Sequence, residues 1–242
     1  MPSLFITGAS SGLGRGLTLH YARQGFTVYA AARRKEELDK LAREAPGIEP
    51  VPLDVQDHEK LARTIEELGD LDLVIANAGV GQPTPARKMD WKRVKWILDV
   101  NVTGACVTIA AALPRMIARN SGHVVAVSSL AAFRGMPGNA SYCASKAALH
   151  TFMESVRVDL RRTGVRATTI YPGFVRTEMT AKNRFRMPFL VELDDAVKVM
   201  ARGLARGAPT VAYPLPTVAL SRALGALPRF VYEPLAGRAR TF

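Results

Sequence analysis

The sequence has few cysteines, no metal-ligand spacing and no long uncharged apolar run. Cys106 and Cys143 are the two cysteines among 242 residues, too few for a disulfide framework, so a cytoplasmic location is expected. The four histidines are scattered, and no metal site is expected. Residues 105–113, the most apolar run, are too short to span a bilayer. Strand-like residues begin almost directly after Met1, which leaves no room for a signal peptide.

Acidic residues are scarce in the last third of the chain. The net charge is +12, and residues 1–160 contain 19 basic and 16 acidic side chains, whereas residues 161–242 contain 14 and 5. Such a basic region can meet a membrane surface, a nucleic acid or an anionic ligand. The arginines are scattered and not interleaved with aromatic residues, so we expect a solvated surface and no nucleic-acid partner. The length and the 48% of hydrophobic residues fit one α/β domain with a buried core.

A glycine-rich turn lies near the start of the chain. Residues 3–7 predict a short buried strand, Gly8, Gly12 and Gly14 follow, and an amphipathic pattern then predicts a helix to about residue 24. Glycines let the backbone approach a pyrophosphate closely, and a helix N-terminus offers free N–H groups and a positive dipole end. Strand, turn and helix in this order predict a dinucleotide-binding unit.

A hydroxyl, a phenol and an ammonium group lie within one stretch that ends at Lys146. Tyr142 and Lys146 are four residues apart, so on a helix they share one face. A nearby cation favours the phenolate and lowers the pKa of the phenol, which suits that phenol for general acid–base catalysis. The Ser129 hydroxyl, at the predicted end of a strand, can hold a carbonyl oxygen while the proton moves. The Tyr–Lys pair alone is a weak signal, and the glycine-rich turn upstream strengthens it.

Together, T-G-A-S-S-G-L-G from Thr7, N-A-G from Asn77 and S…Y-x-x-x-K resemble the short-chain dehydrogenase/reductase family over about residues 4–214. The resemblance implies a single-domain, Rossmann-like α/β fold, a doubly wound, mainly parallel sheet with helices on both faces. It assigns residues 1–214 to dinucleotide binding and catalysis, and we expect residues 215–242 to be a C-terminal amphipathic extension of the same domain. A mobile lid is expected at about residues 178–193, with apolar and basic side chains from Lys182, Arg184, Phe185, Arg186, Met187, Phe189 and Leu190.

The resemblance also assigns catalytic roles. Tyr142 exchanges a proton with the substrate oxygen, Ser129 hydrogen-bonds that oxygen, and Lys146 holds the nicotinamide ribose and lowers the pKa of Tyr142. Asn101, where a helix predicted over about residues 90–119 is interrupted, holds a water that resupplies the proton through Lys146. Ser128 is the less favoured serine, because the family's serine lies thirteen residues before the tyrosine.

The second predicted strand, residues 26–32, is followed by Arg33 and Arg34. In dinucleotide folds an acidic residue here bonds the ribose 2′-hydroxyl, whereas an arginine accepts a 2′-phosphate. The acidic position is occupied by Ala32, so NADP(H) is favoured over NAD(H), although Ser11 stands where many NADP-using relatives have a basic residue. The resemblance implies that the cofactor site comprises Gly8, Ser10, Ser11, Gly12, Leu13, Gly14, Arg33, Arg34, Asp54, Val55, Asn77, Ala78, Gly79, Tyr142, Lys146, Pro172, Gly173, Val175 and Thr177.

These features predict an NADP(H)-dependent oxidoreductase that interconverts a carbonyl and an alcohol on a hydrophobic substrate. The alternative is an NADP(H)-binding sensor without turnover. In relatives the two long helices, here about residues 90–119 and 141–162, pack against their copies, so a homodimer or tetramer is expected.

The C-terminal tail departs from the family pattern. Leu220, Leu224, Leu227 and Val231 form one stripe of a predicted amphipathic helix. This helix covers the chain's own core, seals a subunit interface or lies on a membrane surface. Packing on its own chain is favoured, because buried stripes are commoner than membrane-bound ones.

Overall fold

The computed structural model describes residues 1–182 and 187–238. Of the predicted lid, Arg184, Phe185 and Arg186 and the side chain of Lys182 lie outside the described residues. Residues 239–242 of the predicted C-terminal extension lie outside them as well.

The described chain contains one parallel sheet. Its strands, in chain order, are β1 (Ser3–Thr7), β2 (Thr27–Ala32), β3 (Ile48–Pro52), β4 (Leu73–Ala76), β5 (Gly122–Val127), β6 (Val165–Pro172) and β7 (Thr210–Tyr213). Their spatial order is β3-β2-β1-β4-β5-β6-β7, and each neighbouring pair is parallel. The strand order reverses between β1 and β4, and ligands of open α/β sheets bind at the carboxyl ends of the strands beside such a reversal. The predicted Rossmann-like fold is confirmed.

Helices cover both faces of the sheet. They are α1 (Gly12–Ala22), α2 (Lys35–Ala42), α3 (His58–Glu67), α4 (Trp91–Leu98), α5 (Gly104–Ala118), α6 (Ala140–Asp159), α7 (Leu193–Ala205), α8 (Leu215–Ala226) and α9 (Arg229–Arg238). Because side chains alternate along a strand, β1 sends Leu4 and Ile6 to one core and Phe5 to the other. The two core layers include Leu17, Leu38 and Met200 from α1, α2 and α7, and Ile65, Ile109 and Met153 from α3, α5 and α6.

The long helix predicted over about residues 90–119 is interrupted near Asn101, as expected. A π-helical turn, Asp99–Thr103, joins α4 to α5. The stretch Trp91–Ala118 has a mean hydropathy of 1.6 and is long and apolar enough to cross a membrane by length and composition. Its inner face, with Val100, Ile109 and Met116, is buried in the core. Packing of a core helix therefore accounts for its apolar composition.

The single helix predicted for the tail is wrong. The tail forms two helices, α8 and α9, and the chain is extended at Leu227, where ψ is 136°. Pro228 follows, and a proline disfavours helical geometry at the residue before it. The predicted stripe is therefore broken, and Leu220 on it is 49% exposed. The buried side chains of α8 are Thr217 and Val218 instead.

The tail packs on the segment that follows β5. Val218 contacts Leu130 in a small core cluster. The Arg134 Nη1 donates to the carbonyl of Gly225, at 3.2 Å, and its guanidinium lies 4.2 Å from the centre of the Tyr232 ring. These contacts support the expectation that the tail packs on its own chain.

His123 is a buried histidine on β5, at the edge of the sheet opposite the carboxyl ends. Its Nε2 lies 2.8 Å from the Thr168 Oγ1, which itself donates to the carbonyl of Ala208. The Nε2 of His123 is therefore the donor and has a proton. Burial, helped by the nearby Arg166 guanidinium, lowers the pKa of His123 to about 4.

Acid should destabilise the fold through His123. In the unfolded chain this histidine binds a proton near pH 6.5, whereas in the folded chain it stays neutral until about pH 4. The unfolded state therefore binds more protons in this window, and lowering the pH from 7 to 5 should reduce the unfolding free energy by about 2 kcal/mol through this residue. Urea unfolding at both pH values should show this part of the pH dependence removed in His123→Gln, which keeps an N–H donor. An unchanged pH dependence in the variant would contradict the assignment.

Candidate active site

An open cleft of about 440 Å³ lies at the carboxyl edge of the sheet. The turn between β1 and α1, the segments that follow β2, β3, β4 and β5, and the segment after β6 form its walls. The chain therefore places one long groove at the topological switch point of the sheet.

The glycine turn lines one end of this cleft. Gly8 and Gly12 have φ values of +70° and +52°, which side chains rarely tolerate. A Cβ on Gly14 would lie 2.2 Å from the carbonyl oxygen of Gly8. Ser11, the N-cap residue of α1, makes no side-chain capping hydrogen bond. This side chain therefore does not cap the first N–H groups of α1. An anion site at a helix N-terminus requires such uncapped N–H groups.

The N-A-G segment holds the centre of the sheet edge. The Thr7 Oγ1 accepts hydrogen bonds from the backbone N–H groups of Asn77 and Ala78, at 3.1 and 3.0 Å. The side-chain amide of Asn77 donates to the carbonyl of Thr7, at 2.9 Å. These bonds fix the ends of β1 and β4 against each other beside the glycine turn.

Two arginines stand at the far end of the cleft, after β2. The Arg33 Nη1 lies 3.9 Å from a carboxylate oxygen of Asp54. The Arg34 Nε donates to the Ser10 Oγ, at 3.2 Å, and its Nη1 lies 3.5 Å from the Glu178 Oε2. Arg34 therefore reaches the glycine turn from β2, and it puts a cation beside the loop in which Ser11 offers none.

Lys146 is a buried cation, with 4% of its surface exposed. Its Nζ donates to the carbonyl of Val127, at 2.9 Å, and lies 5.7 Å from the centre of the Tyr142 ring. Burial lowers the pKa of Lys146 to about 8. Tyr142 and Lys146 share one face of α6, as their spacing predicts.

The expected lowering of the Tyr142 pKa is wrong for the protein without a ligand. Burial raises the pKa of this phenol above its ordinary value, and its interaction with the Ser129 hydroxyl offsets the rise only in part. Desolvation of the phenolate thus outweighs favourable neighbours. The phenol is protonated at neutral pH.

The structure distinguishes the two neighbouring serines. Ser129 interacts with the Tyr142 phenol, and its Oγ lies 3.4 Å from the carbonyl of Pro172. Ser128 is buried, and its hydroxyl donates to the main-chain carbonyl of Lys146 at 2.8 Å. Ser129 therefore lies beside the acid–base group, whereas Ser128 ties β5 to α6.

Asn101 lies behind the cleft and does not line it. Its Nδ2 donates to the carbonyl of Val80, at 2.9 Å, and to the Ser145 Oγ, at 3.0 Å, while its Oδ1 accepts from the Val80 N–H at 2.7 Å. Both amide protons are thus engaged by protein groups. A Cβ on Gly79 would lie 3.5 Å from the Lys146 Nζ and 3.6 Å from the Asn101 Oδ1. Gly79 therefore lies next to both the asparagine and the lysine.

The cleft contains every residue that the sequence analysis assigned to the cofactor site, together with Ser129. Sequence reasoning did not assign Val80, Val100, Glu178, Met179 and Thr180, which also line it. The position of Glu178 directly after Thr177, in the segment that follows β6, is the one signal that could have suggested it. Among the described residues, no group of three or more His, Cys, Asp or Glu side chains is arranged to hold a metal ion.

Comparisons with known proteins agree with this geometry. The family described as short chain dehydrogenase matches residues 3–187. A relative from Myxococcus xanthus, described as an uncharacterized oxidoreductase, is 52% identical over 243 residues, which cover 97% of this chain and 96% of the relative. A short chain dehydrogenase from Burkholderia cenocepacia, solved in complex with NADP, is 30% identical, with a TM-score of 0.84 over 100% of this chain and 98% of that one. A short-chain dehydrogenase from Sphingobium yanoikuyae, solved with NADPH, is 25% identical, with a TM-score of 0.84 over 100% and 97% of the two chains.

Gly14→Ala should destabilise the glycine turn. The new Cβ would meet the Gly8 carbonyl oxygen at 2.2 Å and the Asn77 Nδ2 at 2.5 Å, and the carbonyl belongs to a backbone that cannot swing aside. We expect the unfolding free energy, measured with urea, to fall by about 1–3 kcal/mol. Gly237→Ala in α9 is the matched control, because nothing lies within 4 Å of its Cβ position. Equal effects of the two substitutions would contradict this packing.

Proposed function

The chain belongs to the short-chain dehydrogenase family, and from that premise we propose that it is an NADP(H)-dependent oxidoreductase that interconverts a carbonyl and an alcohol. The observation that carries the proposal is that Ser129, Tyr142 and Lys146 line the same cleft as the glycine turn. One cleft thus combines an anion-binding helix terminus with a set of acid–base groups.

The residues present fit a dinucleotide with a 2′-phosphate. The Gly8–Gly14 contact leaves no space for side chains where a pyrophosphate must approach the backbone. Arg33 and Arg34 offer guanidinium groups that pair with a phosphate dianion. The relatives from Burkholderia cenocepacia and Sphingobium yanoikuyae were solved with NADP and NADPH, which supports the same choice here. In the proposed complex the glycine turn holds the pyrophosphate, and the two arginines hold the 2′-phosphate.

The protein's own groups then orient the substrate and move a proton. When bound, the nicotinamide supplies or accepts a hydride. In the reducing direction Tyr142 donates its proton to the carbonyl oxygen, and Ser129 donates a hydrogen bond to that oxygen. The Lys146 ammonium holds the nicotinamide ribose and stabilises the negative charge left on the phenol.

The protonation states suit carbonyl reduction at neutral pH. Burial raises the pKa of Tyr142, so the phenol has its proton before the substrate binds. Because both amide protons of Asn101 are engaged, the water that resupplies the proton cannot accept from them, and we assign it to the oxygen atoms of the π-helical turn around this residue. Such turns are frequent at functional sites.

Apolar side chains lie near the Tyr142 phenol, on the side of the cleft that we assign to the substrate. A Cβ on Gly81 would lie 3.6 Å from the Tyr142 ring and 3.9 Å from the Met179 sulfur. Val80 and Met179 also line the cleft. A hydrophobic ketone, aldehyde or secondary alcohol fits these surroundings best.

A homo-oligomer through the long helices is part of the proposal. Trp91 on α4, Ile117 on α5 and Val158 on α6 are large apolar side chains exposed to solvent. Their exposure supports the expected contact of these helices with a second copy of the chain.

Tyr142→Phe should lower turnover by at least about a hundredfold, because the variant has no proton to donate. NADPH should still bind, since the substitution leaves the glycine turn and both arginines intact. The measurement is the loss of NADPH absorbance with a mixed panel of aldehydes and ketones, with NADPH binding followed separately by fluorescence.

The two serines provide a matched comparison for this experiment. Ser129→Ala should also lose turnover, whereas Ser128→Ala should keep most of it, because the Ser128 hydroxyl bonds a main-chain carbonyl. Turnover retained by Tyr142→Phe would contradict the proton-donor role. NADPH binding by the wild-type protein without turnover of any carbonyl would favour a sensor instead.

A further inference from the structure

Glu178 connects the two sides of the cofactor cleft. It lies in the segment that follows β6, while Arg34 follows β2 on the other side of the glycine turn. The Glu178 Oε2 lies 3.5 Å from the Arg34 Nη1. This carboxylate therefore pairs with the guanidinium that, in the proposed function, binds the 2′-phosphate.

Thr180 makes hydrogen bonds within the turn that contains Glu178. The Thr180 Oγ1 donates to the carbonyl of Val175, at 2.6 Å, and accepts from the N–H of Thr177 at 3.0 Å. A Cβ on Gly12 would lie 3.3 Å from the Thr177 Cγ2, so this turn also touches the glycine loop. These contacts place the backbone of Glu178 beside the phosphate-binding end of the cleft, and its exposed side chain reaches Arg34.

The other nitrogens of Arg34 are engaged by the glycine loop. Its Nε donates to the Ser10 Oγ at 3.2 Å, and its Nη2 donates to the carbonyl of Ser10 at 3.3 Å. Nη1 is the nitrogen that faces Glu178. While these two bonds persist, a phosphate that pairs with Arg34 has one N–H of Nη2 and those of Nη1 left to it. Its charge would then repel the Glu178 carboxylate, which faces Nη1 only a few ångströms away.

We propose that Glu178 is a specificity-determining residue that competes with the adenosine 2′-phosphate of NADP(H) for Arg34. The 2′-phosphate displaces the carboxylate and so releases the segment of residues 175–180 from its contact with Arg34. A nucleotide with a free 2′-hydroxyl leaves the Arg34–Glu178 pair in place. The inference rests on the proposed function, because it takes Arg34 as the 2′-phosphate site.

Glu178→Gln tests the competition directly. The variant removes the charge and keeps the size of the side chain. Calorimetric titration would use adenosine 2′,5′-bisphosphate and adenosine 5′-monophosphate, neither of which contains a nicotinamide or supports turnover. Because the pair is exposed, we expect the bisphosphate to bind roughly two- to five-fold more tightly to the variant, with unchanged affinity for the monophosphate.

Two further variants separate this effect from a general change in charge. Glu192→Gln removes the same charge at another position. Glu192 pairs with Arg176, at 2.9 Å, and Glu192 does not line the cleft. It should leave both affinities unchanged. In an Arg34→Gln background, Glu178→Gln should no longer tighten bisphosphate binding, because the shared partner is gone.

Hydrogen exchange reports the proposed release. In the wild-type protein, the bisphosphate should speed amide exchange in a peptide that spans residues 174–182, whereas the monophosphate should not. In Glu178→Gln this difference between the two probes should disappear.

The outcomes distinguish two failures. If the wild-type protein binds the bisphosphate but Glu178→Gln leaves its affinity unchanged, or tightens both probes equally, the competition is refuted and the proposed function stands. If the wild-type protein binds neither the bisphosphate nor NADPH, the competition and the proposed function fall together.

Discussion

The burial of the Lys146 ammonium group is the constraint on which the site depends. An ammonium has three donors, and among residues 1–182 and 187–238 its one hydrogen-bond acceptor is the carbonyl of Val127. Desolvation lowers the pKa of this lysine to about 8, so the folded protein holds a charge that its own groups satisfy only in part. Such a charge favours a ligand that brings oxygen atoms into the cleft. The hydroxyl groups of a ribose supply them, and binding would then stabilise the charged lysine beside the phenol.

The parallel sheet brings these groups together. The glycine turn follows β1, the arginines follow β2, and Ser129 follows β5. Since all strands run in the same direction, these segments meet at one edge although they are distant in sequence. Helix α6 then adds Tyr142 and Lys146, and the bond from Ser128 to the α6 backbone ties this helix to β5. The geometry of the proposed active site is thus a consequence of the sheet topology together with a few polar contacts.

Local motifs, together with the family resemblance that they support, predicted the fold and the residues that line the cleft, and long-range effects account for what they did not predict. The order of strand, glycine turn and helix, and the Tyr142–Lys146 spacing, are local, and the structure places these residues in the cleft as expected. The direction of the Tyr142 pKa shift depends on how deeply α6 buries the phenol, which spacing alone does not show. The Arg34–Glu178 pair joins residues 144 positions apart and also needed the tertiary structure. In the tail, Pro228 is a local signal for the end of a helix. The apolar stripe that runs across it wrongly predicted one continuous helix.

The most direct test of this account is the affinity for NADPH as a function of pH between 7 and 10, measured by nicotinamide fluorescence. In the proposed complex, ribose oxygens bonded to Lys146 favour its charged form, so binding should take up a proton once the pH exceeds about 8, the pKa of Lys146. Arginine and the fully ionised 2′-phosphate do not titrate in this range. We expect the affinity for NADPH to weaken above pH 8 by up to about tenfold per pH unit, and Lys146→Met to abolish this dependence. A wild-type affinity that stays constant from pH 7 to pH 10 would contradict it.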